Sequence, residues 1–140
     1  MSSIVQTQTT SFKKELYQAV HDLSTDVLKI ALYTANADLN ADTTVYTTAS
    51  EITGTGYTAG GQTLTGVTIN SSGYTAYVDF ANVLWSPAAF TVRCALIYNS
   101  SKGNKSIAVL DFGSDKTCTT SFQITMPTND ATNALIRSSN

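Results

Sequence analysis

Asp79 and Asp111 are the first residues of this 140-residue chain to consider for chemistry. Each closes an alternating, strand-like run and is followed by phenylalanine, in the segments YVDF and VLDF. Strand ends meeting across a sheet would set the two carboxylates together, and such a pair can share acid and base or nucleophile work in glycosidic-bond hydrolysis. The pattern consists of two DF dipeptides and nothing more, and hydrogen bonding at strand ends or turns is the favoured account of them. With no histidine partner or metal cluster beside them, the expectation is a protein that is not an enzyme.

Other chemistries are weaker. His21 is the one histidine, and neither Cys nor a carboxylate pair stands near it at ligand spacing. A solvent-facing or capping role is expected for it. Asp38, Asn40 and Asp42 open like a calcium-binding EF-hand loop, but Thr43 stands where that loop requires Gly and Ala49 where it requires Glu. The segment GTGYTAGG lacks the Lys-Ser/Thr ending and the strand-to-helix setting of a phosphate cradle. Its glycines predict an irregular crossover in which Tyr57 either meets a partner or folds back onto the domain. Cys94 and Cys118 fall in alternating runs that turn both thiols to the core, where free cysteine behaves as a small hydrophobe. A disulfide between them would need adjacent strands in register. No metal and no cofactor is expected.

The elements that must position these residues are mostly strands. The runs FTVRCALIY and IAVLDF flank the polar connector NSSKGNKS, and both are too short and too β-branched for helices. They read as a hairpin from Phe90 to Phe112 at the centre of the core. The segment DVLKIALYTA places Leu28, Ile30 and Leu32 on one face and Val27, Ala31 and Tyr33 on the other, a strand covered on both sides. Further strands are expected at 64–70, at 74–80 and at 83–86 before Pro87, with Trp85 over the end of the core. Another follows at 116–126 before Pro127, with Cys118, Thr120, Phe122, Ile124 and Met126 on one side and Thr119, Ser121 and Gln123 on the other. A short last strand is expected at 134–137. Phe12, Leu16, Val20 and Leu23 recur at helical spacing after Ser11, a plausible N-cap.

The fold class is therefore mainly β: an antiparallel two-sheet β-sandwich with one short N-terminal α-helix and an extended N-terminal arm. The arm covers residues 1–11, the domain 12–137 with its helix at about 11–23, and a tail 138–140. Charged residues make up 13% of the chain, about half the usual share. The net charge of −2 offers no basic stripe for nucleic acid. The first residues do not resemble a signal peptide, and no apolar run approaches a spanning helix. A chain made and folded in a cytoplasm, with no nucleic-acid or membrane partner, is expected.

The succession KIALYTANADLNADTTVYTTASEITGTGYTAGGQTL, YVDFANVLWS and ALIYNSSKGNKSIAVLDFGSDKT resembles small structural proteins of tailed bacteriophages, from about Phe12 to Arg137. The resemblance implies a virion component with no catalytic residue to carry over. The preferred member of that class is a capsid decoration or cement protein that bridges subunits of the major capsid protein. Its other partner would be itself, as a homo-oligomer, with a trimer among the arrangements a shell offers. A tail or head-fibre component is the neighbouring reading, and a carbohydrate-binding module with Tyr57, Tyr74, Tyr77 and Trp85 on sugar rings is the rival from another class. The expected contact residues are Ile4 and Val5 in the arm, Tyr57 in the glycine-rich loop, Trp85, and the polar strand face of Thr119, Ser121 and Gln123.

Overall fold

The computed structural model describes residues 3–139. Two short strands, β1 (Ser3–Ile4) and β2 (Thr7–Gln8), precede the helix α1 (Thr10–Tyr17). Then come β3 (Leu28–Tyr33), β4 (Asp38–Leu39), β5 (Gln62–Thr63), β6 (Thr68–Ser72), β7 (Thr75–Asp79) and β8 (Val83–Trp85). The chain closes with β9 (Phe90–Asn99), β10 (Lys105–Cys118), β11 (Phe122–Ile124) and β12 (Ile136–Ser139). A five-stranded sheet in the order β2-β10-β9-β3-β5 forms the centre, with the three-stranded sheet β12-β7-β6 and the pair β11-β8 beside it. Nearly all pairings are antiparallel; β1 runs parallel to β4. The fold is mainly β and sandwich-like, as the alternation predicts.

The central sheet carries a core on each face. Leu28, Ile30 and Leu32 of β3 join Ala95 and Ile97 of β9 and Ile107 and Leu110 of β10 in the larger one, against Phe12, Val78, Trp85, Ile124 and Ile136 from the surrounding elements. Ala31, Tyr33, Cys94, Leu96, Tyr98 and Val109 form the smaller one on the opposite face, closed by Ala37, Leu39, Ile4 and Tyr46. Burying each large side chain stabilises the fold by about 1.5–3 kcal/mol, so the larger cluster dominates stability.

Two interruptions of register decide which residue faces which core. Asp111 pairs with Cys94 but Lys116 pairs with Val92, leaving residues 112–115 looped out of β10 opposite Arg93. The side-chain phase flips there. Phe90 and Val92 face the larger core, whereas Cys94, Leu96 and Tyr98 face the smaller one instead of sharing a single face. A second bulge lies between Ser106 and Ala108, and it puts the consecutive residues Ile107 and Ala108 in the same core. The run at 116–126 also divides: its first residues complete β10 and the rest turn back as β11 against β8.

The helix is shorter than its apolar spacing suggests. Its N-cap is Thr9, whose hydroxyl accepts from the Phe12 N–H at 3.3 Å, in place of the expected Ser11. It stops at Tyr17 because Ala19 adopts a left-handed φ of 57°. There the Ala19 N–H donates to the Leu16 carbonyl and the Val20 N–H to the Glu15 carbonyl, the paired bonds of a Schellman stop. This turn folds His21 inward instead of leaving it exposed or capping. The buried imidazole meets Glu15 Oε1 through Nε2 at 2.9 Å and Asn99 Nδ2 through Nδ1 at 2.9 Å. Asn99 Nδ2 also donates to Asp26 Oδ2 at 2.7 Å, and Lys102 Nζ lies 3.3 Å from Asp26 Oδ1. The chain ties the end of α1 to the tip of the β9–β10 hairpin.

The arm lies on its own domain. Ser3 and Ile4 pair with Asp38 and Leu39, and Thr7 and Gln8 pair with Val109 and Ala108. Met1 and Ser2, and Asn140 of the expected tail, lie outside the described residues.

Candidate interaction surface

Chemistry-bearing residues are placed apart. Asp79 sits on β7 and Asp111 on β10, in different sheets. Asp79 is buried; its Oδ1 accepts from the Phe80 N–H at 2.9 Å, and its Oδ2 has no hydrogen-bond partner among the described residues. Burial, with a smaller contribution from Asp130, raises the Asp79 carboxyl above its ordinary range. Asp111 Oδ1 instead accepts from Arg93 Nε at 3.2 Å and from the Gly113 N–H at 2.8 Å. Asn40 donates to Asp38 Oδ1 at 3.0 Å and accepts from the Asp42 N–H at 2.9 Å, so the calcium-like segment is a self-bonded turn. Among the described residues no three His, Cys, Asp or Glu side chains converge as metal ligands. No helix among the described residues is long and apolar enough to cross a membrane.

The glycine-rich loop is seated by one carboxylate that the sequence reading passed over. Glu51 accepts from the Tyr46 hydroxyl at 2.6 Å, from the Tyr57 hydroxyl, and from the Gly60 N–H at 2.8 Å. The Tyr57 hydroxyl in turn accepts from the Leu32 N–H at 3.0 Å. Tyr98 donates to the Gly60 carbonyl and Tyr33 to the Thr47 carbonyl, each at 2.6 Å. Burial first, and then the Glu51 charge, pushes the phenols of Tyr33 and Tyr57 well above the usual tyrosine range, so all these donors keep their protons. Gly61, at a φ of +78°, lets the loop lie against β3: a Cβ there would stand 1.7 Å from the Ile30 carbonyl oxygen. A signal existed, since Glu51 is the one acidic residue between Asp42 and Asp79, flanked by Tyr46 and Tyr57.

The expected contact residues therefore divide. Tyr57 is half-buried, with its ring edge-on to Phe90 at 6.2 Å, and works as a pin for the loop. Trp85 is 2% exposed and leans on Phe122, so neither ring face is open. Ile4 is half-buried in the smaller core, whereas Val5 is 50% exposed. Thr119, Ser121 and Gln123 are all exposed. Gln123 lies opposite Leu84, which is 51% exposed, on the outer side of the β8–β11 pair. Exposed Thr91 and Thr117 are bonded to each other at 2.9 Å across the neighbouring β9–β10 ends. Lys116, Gln123 and Thr125 rim a hollow of about 280 Å³ with Phe112 and Phe122 in its lining. The result is a mostly uncharged apron of hydroxyl and amide groups around one exposed leucine, suited to many modest contacts.

The structure thus defines a mainly β, sandwich-like protein with a polar apron as its candidate surface. No protein-family model matches the chain, and no curated protein and no solved structure matches it.

Proposed function

We propose that this chain is a non-enzymatic structural protein of a tailed-bacteriophage virion, in the role of a capsid decoration or cement protein. It would bind the outer shell, bridge neighbouring subunits of the major capsid protein, and associate with itself. The observation that carries the proposal is the ordered set IALYT, GTGYTAGG, DF with WS, ALIYN and VLDFG, spread over nearly the whole domain.

The geometry supports it in two ways. Asp79 and Asp111 occupy different sheets with their own surroundings, which favours a binding protein over a carboxylate-pair hydrolase. The apron around Leu84, Thr119, Ser121 and Gln123 offers weak, uncharged contacts, and such contacts sum when repeated over a symmetric shell. A sugar-binding role is less well supported, because Trp85 is covered and the Tyr57 hydroxyl is engaged by Glu51.

The test is titration of the purified chain onto shells that lack it, with copies located by imaging and shell rupture followed on heating. Copies distributed over the shell, a raised rupture temperature, and loss of both on Ser121→Lys with Gln123→Lys are expected. Absence of binding overturns the proposal. Copies confined to one vertex replace it with a tail or connector role.

A further inference from the structure

A strand at the edge of a sheet presents unpaired N–H and C=O groups, and folds normally shorten or cover such edges. This fold does so almost everywhere. β2 and β5 are two residues long. Gln8 Nε2 donates across to the Arg137 carbonyl at 3.2 Å, linking the edges of β2 and β12. Where β2 stops, Gln6 Oε1 accepts from the Asp111 N–H at 3.1 Å. On β8, Gln62 Nε2 donates to the Leu84 carbonyl at 2.7 Å.

Among the described residues β6 is the longest edge left open in this way. Its five residues, TINSS, pair with β7 on one side, and among the described residues their backbone makes no hydrogen bond on the other. The strand has no charge, no proline and no break in register to deter pairing. The turn to β7 is the two-residue link Gly73–Tyr74, with Gly73 at a φ of 60°. A two-residue turn makes Ser72 and Thr75 a hydrogen-bonded pair, and the alternation of antiparallel ladders then points the N–H and C=O groups of Ile69 and Ser71 outward. Ile69 is 51% exposed, at the lip of a groove of about 450 Å³ between α1 and this sheet, lined also by Leu16, Ala76, Val78 and Ile136.

We propose that β6 is a self-pairing edge: two copies of the chain join β6 to β6, antiparallel across a two-fold axis, into one continuous sheet. The occupant is a second copy because an antiparallel edge is its own complement in hydrogen bonding, and an uncharged strand meets its duplicate without like-charge repulsion. Centring the axis on Asn70 sets Ile69 of each copy opposite Ser71 of the other, so the outward groups of each satisfy those of its mate. The pairing gives the self-association put forward above its surface, yet it rests on the open edge and holds whether or not the chain binds a shell.

The test uses the full chain alone, in sedimentation over a concentration series, together with hydrogen exchange. A monomer–dimer equilibrium is expected, with exchange at the Ile69 and Ser71 amides slowing as concentration rises. Ser71→Pro removes an outward N–H that the internal ladder does not use, so it should fold normally and lose the dimer. Asn70→Lys places like charges on the axis and should do the same if the proline variant fails to fold. Tyr74→Lys, in the turn, should leave the dimer intact. A chain that stays monomeric, or a dimer in which both amides exchange at the monomer rate, overturns the pairing. Protection of these amides only when shells are added assigns the edge to the shell and also overturns it. Shell titration is read separately, so each reading can fail without the other.

Discussion

The two faces of the central sheet are covered in different ways. On one, β7, β8, β11, β12 and α1 bring Val78, Trp85, Ile124, Ile136 and Phe12 onto Ile30, Ile97 and Ile107, and non-directional apolar burial holds the layers together. On the other, the loop from Thr34 to Gly61 and the arm supply a thin apolar cover of Ile4, Ala37, Leu39 and Tyr46. Directional bonds hold that cover: three meet at Glu51, and others run from the Tyr33 and Tyr98 hydroxyls to the Thr47 and Gly60 carbonyls and from the Ile52 and Tyr46 N–H groups to the Leu32 and Asn104 carbonyls. Burial spread over many side chains is lost all at once, whereas a cover held at a few polar points can open while the sheet stays folded. The first face should set global stability and the second the lowest-energy local opening.

The largest effect should come from the first face. Ile97→Ala is expected to cost about 3–4 kcal/mol, read as a lower denaturant midpoint with a single cooperative transition. Glu51→Ala, which strips Tyr46, Tyr57 and Gly60 of their acceptor, should cost about 2–3 kcal/mol. Its signature is faster amide exchange confined to residues 46–61, and Gly61→Ala should loosen the same stretch by denying the loop its seat on β3. Loss of Glu51 that unfolded the whole sheet as cooperatively as Ile97→Ala would break the distinction between the faces.

Asp79 sharpens it with a polar group on the apolar side. Because burial raises this carboxyl above its ordinary 3.8, the folded chain favours the protonated acid. Its contribution to stability is full below that ordinary value and is lost as pH rises through the raised one. Asp79→Asn should therefore melt higher than the parent at about pH 7, with the advantage gone by about pH 3. The smallest effect belongs to the helix stop: Ala19→Gly relieves a left-handed alanine and should add about 0.5–1 kcal/mol.

The first face was legible in the sequence because alternation reports burial against a regular partner. Leu28, Ile30 and Leu32 opposite Ala31 and Tyr33 announced a strand with two covers, and the hairpin at the centre followed from two apolar runs around NSSKGNKS. Phase was less legible. Whether Cys94 shares a face with Val92 depends on a four-residue excursion in β10, and GSDK reads as an ordinary turn until its partner strand is known. The helix end depended on Ala19, which has no propensity for the left-handed region. Among the contact residues, Thr119, Ser121 and Gln123 were legible as an outward polar set. Tyr57 and Trp85 were ambiguous because an aromatic side chain serves a core as readily as a surface, and the choice rests on Glu51, near Tyr57 in the sequence, and on Phe122, which meets Trp85 only through the β8–β11 pairing.

The two thiols sit on opposite sides of this architecture. Cys94 is sealed in the smaller core, where burial pushes its thiol up to about 12, while Cys118 near the apron is partly open. A maleimide should modify one sulfur in the native chain and the second only once the cover has opened. Wild-type protein thus carries its own gauge of that opening, together with a single attachment point for a dye or gold cluster close to the surface assigned to docking.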